Sequence, residues 1–260
     1  MSMKGNKYIA KDMNMIYPFD KLDIKNNGKT SVIVTMCKQY GHRLEEWINY
    51  NLNLGFSHII IFNNDFNQKT ILNGPRTTKD RNIKKTINSI CNKFPGKVFT
   101  FPFNYIPIEH NHWNTLQIGC LSIGVNALKN KCEYIATIDA DEFIYIPKEP
   151  KINIEDYLSR YNTNISIKSN ILTNKGKDYI DNNVLKLKLY LGKEKYTKMI
   201  LKSDVLTEND LFILSPHRNS NMIELDKDEI IHYHIWVNDR YKYTEDMEEI
   251  KVLYPEIYNN

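Results

Sequence analysis

The chain has 260 residues, 42% of them hydrophobic and 25% charged, which is enough for one large α/β domain or one domain with a modest appendage. Lys and Arg number 35 against 31 acidic residues, and the resulting +4 is a weak bias towards anionic ligands that gives no footprint for nucleic acid. The four cysteines form no CxxC pair and match neither a zinc site nor a compact disulfide scaffold; Cys37 and Cys120 sit among apolar neighbours and read as buried thiols, so a reducing compartment is the simpler expectation.

The first residues hold no apolar run of signal-peptide or anchor length, and the apolar runs elsewhere are strand-sized. No transmembrane segment is expected, and the chain reads as soluble and cytoplasmic or otherwise intracellular. Association with a membrane or a glycan-bearing particle stays open. Residues 1–29 are polar and irregular and read as an N-terminal extension. A mostly apolar strand follows over 31–37, suited to the interior of a parallel sheet. From 41 to 54 the period changes: Leu44, Trp47, Ile48 and Leu52 recur at helical spacing, and Gly55 is a reasonable stop. Trp47 belongs to that apolar stripe and anchors the helix to the sheet. Residues 56–62 make a second buried strand, ending in Asn63-Asn64-Asp65. Strand, helix and strand with short loops are a βαβ signature.

Further along, a helix is predicted within 78–90, a strand over 97–101 and a helix over 112–129. A fourth strand over 134–138 runs straight into Asp139-Ala140-Asp141-Glu142-Phe143. Beyond Pro150 come a short helix over 154–161, a strand over 165–168 and a polar loop over 172–183. Residues 184–190 alternate like an outer strand, and further strands are predicted over 198–205, 211–214 and 229–237. The tail 240–250 reads as a charged amphipathic helix. The expected organisation is therefore a core domain over 30–239 and a helical tail over 240–260, with no internal repeat.

The stretch 139–142 carries the most chemical information, because three carboxylates appear within four positions where an apolar strand ends. Side chains two apart on an extended backbone share a side, so Asp139 and Asp141 can approach one region. Ligands of open α/β sheets bind outside the carboxyl ends of the strands. Crowded carboxylates repel unless a cation or another positive group compensates them. Mg²⁺ or Mn²⁺ would do so while bridging phosphate oxygens, and would stabilise a departing nucleoside diphosphate. The competing reading is a turn cap or a set of surface ion pairs.

Several blocks then resemble the GT-A-fold glycosyltransferases, in particular the family 92 and DUF23-like group. They are Glu45-Glu46-Trp47 through Gly55, the strand Phe56–Phe62 with Asn63-Asn64-Asp65, and Ile138-Asp139-Ala140-Asp141-Glu142-Phe143. Tyr196-Thr197-Lys198-Met199-Ile200, Ser215-Pro216-His217 and Ile231-His232-Tyr233-His234 fit the same group. The resemblance spans about residues 31–236 and implies an α/β, GT-A-like single domain with a mostly parallel central sheet flanked by helices. It implies a UDP-sugar donor, Mn²⁺ as the cofactor, transfer with inversion, and a glycan, glycoprotein or glycolipid acceptor. A metal-dependent phosphoesterase and a non-catalytic glycan-binding protein are the alternative functions.

On this reading Asp139 and Asp141 form the donor-and-metal pair, and the resemblance makes Asp141 the direct ligand. His232 is the preferred third ligand, ahead of His217 and His234, though a structural hydrogen bond competes for each. Asn63 and Asp65 are candidates for nucleoside contacts, with a turn as the plainer explanation. Lys198 and Arg218 could neutralise diphosphate. Glu142, Asp210 and Glu224 are candidate bases for the acceptor hydroxyl. Trp113 and Trp236 could face a sugar or pack in the core, and Gln117 could project polar groups from the helix before the acidic strand.

Overall fold

The computed structural model describes residues 22, 24, 30–38, 40–64, 86–103, 113–173, 185, 189–194, 196–213, 215–217, 221–236 and 249–250. Its first half follows the apolar runs closely. Strand β1 is Ser31–Cys37, helix α1 Gly41–Leu54, and strand β2 His58–Asn63. Helix α2 spans Ile87–Cys91, strand β3 Val98–Pro102, helix α3 Trp113–Leu128 and strand β4 Tyr134–Thr137. Helix α2 is the described end of the helix predicted within 78–90; residues 78–85 lie outside the described ones.

The strands are apolar on both faces because each face has its own helix. Ile33, Ile59, Ile61 and Ala136 pack with Trp47 and Ile48 of α1, whereas Val32, Val34, Ile60, Phe62 and Ile135 pack with Cys120, Leu121 and Val125 of α3. Neighbouring residues on one strand thus belong to different cores, which is why no polar alternation was visible. All four cysteines are buried thiols in no disulfide, as read for Cys37 and Cys120. Ile24, inside the stretch read as an extension, joins the core under α3.

Two glycines set close approaches. Gly55 ends α1 in the left-handed region, with φ of 110°, and its N–H returns to Leu52 O at 3.1 Å. A Cβ on Gly124 of α3 would stand 2.5 Å from Val34 Cγ1 of β1. Gly124→Ala gains about 1 kcal/mol of helix propensity but overpacks this contact by about 1–3 kcal/mol, so net destabilisation is expected by urea unfolding, and a larger loss for Gly124→Val. A stabilised Gly124→Val variant would contradict this packing.

The sheet order is β3-β2-β1-β4, with β1–β2, β2–β3 and β1–β4 all parallel. The chain steps outwards from β1 to β3 and then returns to the other side of β1, so the order reverses between β1 and β4. Beyond this point the expectation of a mostly parallel sheet is corrected: the sheet is mixed. Strand β5 is Glu142–Tyr145, helix α4 Ile154–Leu158, β6 Asn164–Thr173, β7 Leu189–Glu194 and β8 Lys198–Lys202. Strands β9 (Met222–Leu225), β10 (Ile231–Trp236) and β11 (Glu249–Ile250) complete it. Strand β8 runs antiparallel to both β4 and β6, and β7 antiparallel to β6. Strands β9 and β10 lie parallel to β6, while β5 is antiparallel to β10. The reason is local: β7 and β8 run back in succession along β6, from Thr173 opposite Tyr190 to Ile165 opposite Ile200, so β8 meets both β6 and β4 in the antiparallel sense.

Three further expectations change. Residues 211–213 form a turn in place of a strand, because the Asp210 carboxylate accepts Thr207 N at 2.8 Å while Ile213 N donates to Ser122 Oγ on α3. The outer strand predicted over 184–190 begins at Leu189, with 184 and 186–188 outside the described residues. Glu249 and Ile250, placed on a tail helix, instead pair with Tyr190 and Leu189, since the β7 edge offers open backbone groups; residues 240–248 lie outside the described ones. Among the described residues no helix is long and apolar enough to cross a membrane.

Candidate active site at the end of the central strand

The acidic stretch lies just past the carboxyl end of β4, beside the β1–β4 reversal where open α/β sheets bind ligands. It is a tight turn: Glu142 N donates to Asp139 O at 3.0 Å, and Asp139 N donates back to Glu142 Oε2 at 2.9 Å. Glu142 then opens β5, whose antiparallel partner β10 sets His234 opposite Glu142 and His232 opposite Ile144. The Trp47 indole, an apolar anchor by its spacing, also donates Nε1–H to Glu142 O at 2.8 Å and so ties α1 to the turn.

The three carboxylates have different surroundings. Asp139 accepts Lys198 Nζ at 2.7 Å on Oδ2 and Gln117 Nε2 on Oδ1. Lys198 is also 3.3 Å from Glu142 Oε2, and its side chain is 1% exposed. Burial pushes the Glu142 carboxyl up to about 7, against the pull of the Lys198 ammonium. The positive group that the crowded carboxylates required is therefore in large part a lysine of the neighbouring strand β8. Asp141 and Asp139 keep 27% and 30% of their side chains open, so they form the outer rim above the buried Lys198–Glu142 pair.

Asp141 Oδ2 stands 3.3 Å from His234 Nε2, and the carboxylate raises that imidazole to about 9 against the effect of burial. His232 is fully buried; its Nε2–H donates to Tyr196 O at 3.1 Å, and Nδ1 lies 3.8 Å from Glu142 Oε1 without a hydrogen bond. Burial first, and then Lys198, hold His232 well below the usual histidine range, so it stays neutral. Of the two histidines, His234 therefore stands at the rim beside Asp141, and His232, the expected ligand, is buried below it. Tyr40, before α1, is a contributor that spacing did not reveal: burial and the nearby Asp141 charge raise its phenol.

The other candidates fall elsewhere. Asp210 is 1% exposed and closes its own turn on Thr207. Glu224 lies on β9, three strands from β4, and pairs with Lys168 at 3.3 Å. Neither is brought to the acidic turn. Asn63 donates to Asn88 Oδ1 at 2.9 Å, whereas its unpredicted neighbour Asn64 staples β1 to the residues after β3 through Cys37 O and Phe103 O. His217 stacks on Tyr196 and holds Thr197 O through Nδ1 at 3.2 Å. Asp65 and Arg218 lie outside the described residues, as do the side chains of Trp113 and Trp236.

Among the described residues no three His, Cys, Asp or Glu side chains are grouped to hold an ion by themselves. The Asp141–His234 spacing of 3.3 Å nevertheless suits two adjacent ligands, each ~2.1 Å from one divalent ion. Phosphate oxygens and water commonly complete such a shell when the protein supplies only one or two groups. No family model matches the chain, and no curated protein matches it.

Proposed function

We propose that this protein is a divalent-cation-dependent glycosyltransferase with a GT-A-type core, transferring a sugar from a UDP-sugar to an acceptor hydroxyl with inversion. The observation that carries the proposal is the position of the Asp139–Glu142 turn. It stands at the carboxyl end of a central strand, beside the reversal of strand order, with Asp141 and His234 on its open rim. Three of the sequence blocks described above meet at that turn: the acidic block follows β4, β8 brings Lys198, and β10 brings His234.

In this proposal Asp141 and His234 would hold Mn²⁺ or Mg²⁺ once the imidazole gives up the proton that Asp141 keeps on it, and the ion would supply positive charge to the departing diphosphate. Asp139 is fixed by Gln117 and Lys198 to face the donor, and Glu142 is the buried brace that keeps the turn closed. Lys198 acts through these carboxylates, since its ammonium is turned inwards. A two-ion phosphoesterase is less well supported, because Lys198 already occupies the space between Asp139 and Glu142 that a second ion would need.

Titration calorimetry of UDP into the full chain tests the proposal. At 1 mM Mn²⁺, UDP should bind about tenfold or more tightly than in EDTA, and a panel of UDP-sugars should release UDP slowly with the ion present. Equal UDP affinity in Mn²⁺ and EDTA would defeat the metal-dependent reading. Phosphomonoester hydrolysis without UDP-sugar turnover would favour the phosphoesterase.

A further inference from the structure

Tyr196 is the most exposed large apolar side chain among the described residues, with 51% of its surface open. Its exposure is not looseness. Tyr196 N donates to Ser169 Oγ of β6 at 2.9 Å, and Tyr196 O accepts His232 Nε2 of β10 at 3.1 Å, so the backbone is pinned on both sides. The phenol ring rests flat on the His217 imidazole, with centroids 4.4 Å apart and planes 18° from parallel. His217 is held in turn, because Thr197 Oγ1 donates to His217 O at 2.5 Å and His217 Nδ1 contacts Thr197 O at 3.2 Å.

This platform lies at the acidic mouth. Strands β4 and β8 pair Thr137 with Met199 and Ala136 with Ile200, so the start of β8 lies at the carboxyl end of β4, where Lys198 reaches Asp139 at 2.7 Å. Tyr196 lies two residues before Lys198, and His232, which holds Tyr196 O through Nε2, has its Nδ1 3.8 Å from Glu142 Oε1 of the acidic turn. The reversal of strand order, where the nucleotide would sit, lies between β1 and β4, whereas β8 flanks β4 on the other side. A ligand on Tyr196 would therefore meet Asp141 from the side opposite the nucleoside.

We propose that the Tyr196–His217 stack is an acceptor subsite for a carbohydrate, taking the apolar C–H face of a pyranose ring. The assignment rests on the glycosyltransferase reading and names the acceptor class that the reading leaves open. A pyranose presents an apolar face of C–H groups and a rim of hydroxyls. The negative face of an aromatic ring attracts the partly positive C–H groups, and a ring already immobilised loses little freedom on binding. The rim hydroxyls then remain free, one of them directed to the reacting centre.

Saturation-transfer NMR on the full chain, with lactose, cellobiose and N,N′-diacetylchitobiose as probes, tests the subsite. At least one disaccharide should receive saturation through its C–H protons. Tyr196→Ala should weaken it about tenfold or more, Tyr196→Phe should retain it, and His217→Ala should give an intermediate loss. UDP affinity with Mn²⁺ should be unchanged in all three. The subsite is overturned if no disaccharide of the panel binds, if binding survives Tyr196→Ala, or if Tyr196→Ala weakens UDP instead, which would make the ring a base-stacking residue. Disaccharide binding that follows Tyr196 without any Mn²⁺-dependent UDP binding would keep the subsite and remove the transferase. UDP binding as proposed, with a disaccharide indifferent to Tyr196, would do the reverse.

Discussion

Lys198→Met should destabilise the protein by about 3–5 kcal/mol at pH 8, because it leaves Glu142 and Asp139 beside each other without their shared ammonium. The loss should shrink towards pH 5. Without the opposing pull of Lys198 the buried Glu142 carboxyl is raised further and binds a proton more readily than in the unfolded chain. A carboxyl raised on folding contributes stability at low pH and loses it as pH climbs from its unfolded value through its folded one. Urea unfolding at pH 5 and pH 8 measures the difference. Adding Glu142→Gln should restore much of the loss at pH 8, since the amide removes the buried charge that Lys198 had balanced. Equal losses at the two pH values, with no rescue, would mean that Lys198 acts only through the packing of its stem.

Asp141→Asn should lower the Mn²⁺-dependent affinity for UDP about tenfold or more, down to the affinity in EDTA, with a stability change below about 1 kcal/mol. The side chain keeps its shape and is partly open to solvent, so the fold depends on it little. The two histidines then separate the rim from the brace. His234→Asn should follow Asp141→Asn in losing metal-dependent UDP binding. His232→Asn should leave that binding within about threefold but cost about 1–3 kcal/mol, because the Tyr196 carbonyl loses its donor and the fully buried imidazole its packing. The same calorimetry and urea series reads both quantities. Loss of UDP binding in His232→Asn, with retention in His234→Asn, would reverse the assignment.

The elements that matched the sequence are those whose signal is local. Strands β1, β2 and β4 are apolar runs of strand length, and α1 and α3 are apolar stripes at helical period, so each was legible without its neighbours. The later half was less legible because its strands take their partners from distant segments. Leu211 and Ile213 have the apolar pattern of a strand, yet they pack on α3 from a turn closed by Asp210. Strand β5 was hidden because Glu142 belongs at once to the acidic turn and to a ladder with β10.

The candidate site divides in the same way. The chain's own order of residues determined that three carboxylates crowd the end of a buried strand and that they require positive charge nearby, since both follow from spacing and Coulomb repulsion. Only the tertiary structure decided which groups supply it. Lys198 is 59 residues from Asp139 and reaches it because β8 runs antiparallel beside β4. His232 and His234 share one side of β10, so alternation could not separate them; the register with β5 leaves His234 level with Glu142 and sinks His232 to the depth of Ile144. Depth along a strand is set by its pairing with another, and a one-dimensional pattern of residues contains no measure of it.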